Sequence, residues 1–193
     1  MNADDIEAEA EQILARMTTV RRRARPRLAE ALYDAHDESV ATPFGPVQAW
    51  RLGQGPAVLC VHGWEDDNAI WGPLIDTFAA IGRAVVTFDL PGHGYSEAEE
   101  ATAESCAAAV AAVAKALGPI EAIAAHSFGC VASAAAMDAG LEVSRAVIIA
   151  SPLPVAFRRA RKWVSEGLFS QAALERAMEL QAARAGGTFA GFD

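Results

Sequence analysis

A serine stands at the centre of Ala125-His126-Ser127-Phe128-Gly129, between the apolar run Ile120–Ala125 and an alanine-rich stretch from Cys130 to Met137. That order reads as a buried strand, a sharp turn with serine at its apex, and a helix behind it. Such a turn pushes the serine Oγ away from the backbone, and the helix aims its first N–H groups at the same place. The chemistry this suits is nucleophilic attack on an electrophilic carbon by Ser127; the plainer alternative is a serine that caps a helix. A serine hydroxyl is a weak nucleophile without a base in hydrogen-bond reach and an acid to orient that base. The histidines are His36, His62, His93 and His126. His126 adjoins Ser127 and its side chain should diverge from it, so it reads as a packing residue. His62 reads as a backbone-bonding residue that holds the loop after its strand. His93 and Asp89 read as organisers of a turn. No histidine follows His126, and Ser151-Pro152 follows the 145–150 run.

The elements that must position these residues follow from pattern. Residues 3–24 read as a helix with Ile6, Ile13, Leu14, Met17 and Val20 near one face. Pro26 would open a second short helix reaching Tyr33. The basic run Arg21–Arg27 is flanked by acidic residues and reads as a solvated helix face. Ser39–Phe44 and Val47–Leu52 form a hairpin about Gly45-Pro46. Ala57–Val61 and Ala84–Phe88 are continuous apolar runs of the kind buried on both faces of a sheet. Between them residues 68–80 are helical, closed by Gly82. Residues 101–117 form an alanine-rich helix, the elbow strand and helix follow, and Arg145–Ala150 is a further strand. Residues 155–185 have helical composition. Strands alternating with helices imply a mostly parallel sheet with helices on both faces and an antiparallel addition at one edge. In such sheets ligands bind beyond the carboxyl ends of the strands. His62-Gly63-Trp64, Asp89–Ser96, Ser127 and Ser151 all fall there.

Composition bounds the rest. The chain has 193 residues, 52% of them hydrophobic, enough for one core with a small lid. A net charge of −9 argues against general nucleic-acid binding. The acidic start and the absence of a long uncharged apolar run predict neither signal peptide nor membrane span, and a cytoplasmic location. Cys60, Cys106 and Cys130 lack CxxC spacing and read as reduced thiols. No metal-ligand spacing and no cofactor motif is seen.

Three stretches resemble the α/β-hydrolase family. Ala125–Gly129 is similar to its G-x-S-x-G elbow, with Ala125 replacing the first glycine. Val61-His62-Gly63-Trp64 resembles its oxyanion loop, and Asp89-Leu90-Pro91-Gly92-His93-Gly94-Tyr95-Ser96 its D-x-P-G-x-G-x-S loop. The resemblance implies that the backbone N–H groups of Trp64 and Phe128 form the oxyanion hole, and losing one such donor costs on the order of 3 kcal/mol of barrier. It also implies an acid after the 145–150 run, where Ser151-Pro152 stands, and a histidine beyond the last strand, so that the base and the acid are expected to be absent from this chain. It disfavours a haloalkane- or epoxide-type mechanism, because those relatives use aspartate where Ser127 stands.

The expected fold is therefore α/β-hydrolase-like, C-terminally incomplete, with a helical arm over 1–36, a partial core over 37–152 and a helical cap segment over 153–193. The expected function is cleavage of a carboxylic ester or related acyl bond of a small molecule. The chain itself is expected to be an inactive fragment of such an enzyme or, alternatively, a non-catalytic pseudo-hydrolase that binds or regulates. Self-association through an unpaired sheet edge is expected.

Overall fold

The computed structural model describes residues 2–22, 24–99, 101–151 and 157–184. The chain divides into two compact units, residues 20–151 and residues 1–19 with 152–193.

The larger unit is a six-stranded sheet: β1 (His36–Val40), β2 (Val47–Leu52), β3 (Ala57–Val61), β4 (Ala84–Phe88), β5 (Ile120–His126) and β6 (Arg145–Ile149). Their spatial order is β1-β2-β4-β3-β5-β6. β1 and β2 are antiparallel and β2 is antiparallel to β4, while β4, β3, β5 and β6 run parallel. The apolar runs predicted as central strands are central, and every residue of β4 is buried. Because side chains alternate across a strand, Leu59, Val61, Val86 and Phe88 face one layer while Cys60 and Val85 face the other. On the first face lie α3 (Ala103–Leu117) and α4 (Phe128–Asp138), whose small residues allow close approach. On the second lies α2 (Gly72–Ala80), preceded by a 3-10 turn over Asn68–Trp71. Thr102 and Ser105 cap α3 reciprocally, each side chain accepting from the other's backbone N–H.

β6 pairs with β5 and, among the described residues, with no strand on its other side. Val147, Ile148 and Ile149 are 56%, 48% and 38% exposed, so apolar side chains on both of its faces meet solvent.

The basic run departs from its expectation. The first helix, α1 (Ala3–Thr18), ends before it. The Thr18 and Thr19 hydroxyls bond back to the Leu14 and Ala15 carbonyls, and Thr19 is extended at φ −77°, ψ 117°. Beyond it Val20 packs on the main core. Arg22 donates to the carbonyls of Gly92, Ser96 and Ala98 at 2.9, 2.6 and 2.7 Å, and Arg27 pairs with Asp66 and Asp67. These arginines grip loops; they do not form a solvated helix face. Pro26 opens no α-helix either, and only a short 3-10 turn follows at Glu30–Leu32.

The smaller unit holds α1, α5 (Arg158–Ser165) and α6 (Gln171–Arg184). Ile13 and Leu14 of the predicted apolar face are buried with Phe157, Ala160, Ala173, Leu174 and Ala177. Asn2 and Asp5 form a capping box, and Arg176 of α6 pairs with Glu7 of α1 at 2.6 Å. The start of the expected cap segment near residue 153 and the Gly186–Asp193 tail lie outside the described residues.

Candidate active site

The sheet brings the elbow beside the loop that follows β3. Ser127, half-buried between β5 and α4, has φ 51° and ψ −121°. An L-residue enters that region at a cost of about 1–3 kcal/mol and stays only where its surroundings over-determine it. Here they do: the Ser127 N–H donates to the Ile149 carbonyl at 2.9 Å, and its own carbonyl accepts from Cys130 N–H at 3.0 Å. Among the described residues nothing hydrogen-bonds to its Oγ, so this serine does not cap the helix.

Two glycines allow the approach. A Cβ on Gly129 would lie 2.4 Å from the Val61 carbonyl oxygen and 2.5 Å from that of His62. A Cβ on Gly63 would lie 2.8 Å from Ser127 Cβ, which places the post-β3 loop directly against the serine. Ala125, the substitution for the family's first glycine, is fully buried in the main core.

Trp64 and Phe128 come together from the two sides, with ring centroids 5.2 Å apart edge to face. Among the described residues neither backbone N–H has an acceptor. Phe128 is the first residue of α4, whose N–H is unpaired by the geometry of any helix start.

The 62–68 loop is built on residues 89–96. His62 Nε2 accepts the Leu90 N–H at 2.9 Å, which leaves the proton on Nδ1 to donate to the Gly63 carbonyl at 2.7 Å. His93 Nε2 accepts the Glu65 N–H at 2.9 Å, and its Nδ1–H donates to the Pro91 carbonyl at 2.8 Å. The two rings meet edge to face at 5.1 Å. Burial pushes both imidazoles down to about 4, so both are neutral at pH 7. The 3.9 Å approach of His62 Nε2 to Asp89 is therefore no ion pair. Burial pushes the Asp89 carboxyl up to about 6 against the pull of its donors. Those donors are the N–H and amide of Asn68 and the N–H of Tyr95.

His62 and His93 spend both ring nitrogens on backbone. His126 has its Nδ1 buried without a partner, 3.2 Å from where a Gly63 Cβ would stand. His36 lies on β1, at the opposite edge of the sheet from β6. Pattern alone did not single out Asn68 and Arg22. Asn68 follows Asp67, whose side chain accepts from Ala69 N–H, and that Asp-Asn start was the available signal for it. A surface depression of about 560 Å³ beside Phe44, Glu97 and Thr102 does not include Ser127. Among the described residues no three His, Cys, Asp or Glu side chains gather as a metal site requires, and no helix is long and apolar enough to cross a membrane.

Residues 58–192 match the family described as the alpha/beta hydrolase family. Among curated proteins, the pimeloyl-[acyl-carrier protein] methyl ester esterase of Aliivibrio salmonicida is 29% identical over 123 residues, 63% of this chain and 46% of that protein. Its counterpart in Vibrio atlanticus is 44% identical over 48 residues, 24% of this chain and 18% of that protein. The chain thus spans less than half the length of these relatives. Among solved structures, epoxide hydrolase VrEH1 of Vigna radiata superposes with a TM-score of 0.54 at 22% identity, over 61% of this chain and 40% of that one. The esterase EaEST of Exiguobacterium antarcticum gives 0.52 at 16% identity, over 62% and 47%.

Proposed function

This chain belongs to the alpha/beta hydrolase family, and from that premise we propose that it carries the nucleophile and oxyanion half of a serine acyl hydrolase. Ser127 Oγ bonds to the carbonyl carbon of a carboxylic ester, and the carbonyl oxygen becomes an oxyanion held by the N–H groups of Trp64 and Phe128. Collapse expels the alcohol, and water then releases the acid. The observation that carries this reading is the strained Ser127, unbonded at Oγ and flanked by two unpaired N–H groups. The names of the curated relatives support carboxylic methyl esters as the first substrates to test.

The proton leaving Ser127 Oγ needs a base, and among the described residues no histidine nitrogen hydrogen-bonds to that oxygen. The isolated chain therefore turns over esters little or not at all. Free imidazole supplies the missing group: p-nitrophenyl acetate hydrolysis should rise in imidazole with the native chain above the same imidazole with Ser127→Ala. In the same imidazole, a fluorophosphonate should label the native chain at Ser127 alone. Equal rates with the two chains, together with no label, refute the reading. Rapid Ser127-dependent turnover without imidazole refutes the claim that the base is missing. A binding or regulatory pseudo-hydrolase predicts neither label nor rescue. The reading keeps self-association through the outer edge of β6; sedimentation of the native chain against Ile148→Lys tests it, and a monomeric native chain removes it.

A further inference from the structure

We propose that His62 and His93 act together as positioning residues for the Trp64 oxyanion donor, each fixing the peptide on one side of Trp64; this rests on the acyl-transfer reading above. The Trp64 N–H belongs to the Gly63–Trp64 peptide. That peptide is planar and trans, so its C=O and N–H point in opposite directions. His62 Nδ1–H holds the C=O at 2.7 Å, and thereby aims the N–H the other way. The next peptide, Trp64–Glu65, is held through the Glu65 N–H by His93 Nε2 at 2.9 Å. With both flanking planes fixed, the backbone rotations at Trp64 have no freedom left. Glu65 itself sits at φ 58°, a left-handed conformation that a non-glycine residue keeps only under restraint, and the His93 bond is that restraint. The Trp64 ring also packs edge-on against His93 at 5.5 Å and against Phe128 at 5.2 Å, so side chain and backbone are set by the same group.

Both imidazoles must carry their proton on Nδ1 for this to work. Each is committed to that tautomer by a backbone N–H at Nε2, from Leu90 for His62 and from Glu65 for His93. Each is also buried, 0% and 1% exposed, so water offers no substitute partner. The arrangement differs from a base serving the nucleophile: neither ring has a nitrogen to spare for a proton from Ser127.

The test pairs His93→Phe, which keeps a ring and removes the acceptor, with His93→Gln, which keeps an acceptor at similar reach. Three quantities are read on the full chain: the rate of Ser127 phosphonylation by an alkyl fluorophosphonate in a fixed concentration of imidazole, hydrogen exchange of the Glu65 amide, and the ¹⁵N shifts of the histidine rings. His93→Phe should slow labelling by about tenfold or more and speed Glu65 exchange by at least as much. His93→Gln should stay within about threefold of the native chain in both, the rescue that a purely structural role would not give. In the native chain both rings should show the neutral Nδ1–H tautomer at pH 7. An Nε2–H tautomer at either ring overturns the proposal even if neither variant folds. So does His93→Phe that frees the Glu65 amide yet labels at the native rate. A native chain that exchanges and titrates as expected but never labels overturns the acyl-transfer reading, and the donor role with it.

Discussion

Gly129→Ala adds one methyl at the second residue of α4, and two opposing effects decide its sign. Alanine is the better helix former by about 1 kcal/mol and also lowers the entropy of the unfolded chain, so at an unobstructed position the change stabilises. At Gly129 the new Cβ would sit 2.4 and 2.5 Å from the carbonyl oxygens of Val61 and His62, where ordinary contact begins at 3.4 Å. Roughly 1 Å must therefore be made up by movement of backbone, because no flexible side-chain end is involved. Overpacking of a built core costs about 1–3 kcal/mol, and a clash with two strand carbonyls belongs at the upper end of that range. The net expectation is a loss of roughly 2 kcal/mol. Urea unfolding followed by tryptophan fluorescence measures the loss. If Gly129→Ala unfolds at the same or higher urea as the native chain, the packing of α4 against the end of β3 is not as described. Because the displacement would carry Ser127 and Phe128 away from Gly63 and Trp64, labelling of Ser127 should also fall by about tenfold or more.

Two further outcomes concern titration and thiols. His62 and His93 titrate near 4 in the fold against 6.5 when exposed, so the unfolded chain binds more protons between those values and stability falls as pH drops through that window. Asp89, raised to about 6 from 3.8, works in the opposite direction; two imidazoles outweigh one carboxyl, leaving a net loss of roughly 3 kcal/mol from pH 7 to pH 4. Urea midpoints should show this loss, smaller in His93→Phe, and an equal slope in that variant would remove the assignment. Burial pushes the Cys60 and Cys106 thiols up to about 12 and raises Cys130 as well. Ellman's reagent at pH 8 should find almost no thiol in the native chain and three in urea, and one rapid equivalent in the native chain would contradict their burial.

What was legible in the sequence was what local pattern controls. Continuous apolar runs placed β3 and β4, alternation of strand and helix placed the parallel sheet, and a serine between small residues placed the elbow. The edge strand β1 was harder. His36–Val40 is polar, with only Val40 buried, so the hairpin was expected over Ser39–Phe44 and lies several residues earlier. The end of α1 is not visible in the sequence, because threonine hydroxyls turning back on carbonyls do not disturb hydrophobic periodicity. Arg22 lies some seventy positions from the carbonyls it binds, and Asn68 about twenty from Asp89. Such partners meet only once the sheet has formed, so no spacing in the chain announces them. The roles of His62 and His93 belong to the same class. Their residue type was visible, whereas the tautomer and the peptide each one holds depend on two loops meeting.

The 62–68 loop is tied to residues 89–96 at its beginning by His62, in its middle by His93 and at its end by Asn68 on Asp89. The pair therefore constitutes a single inheritable cassette. A chimera that imports one loop from a relative and keeps the native other should misplace its backbone donors, and one that imports both together should not. Diversification of specificity in such a chain is thus channelled away from these two loops and toward segments that owe them no hydrogen bonds.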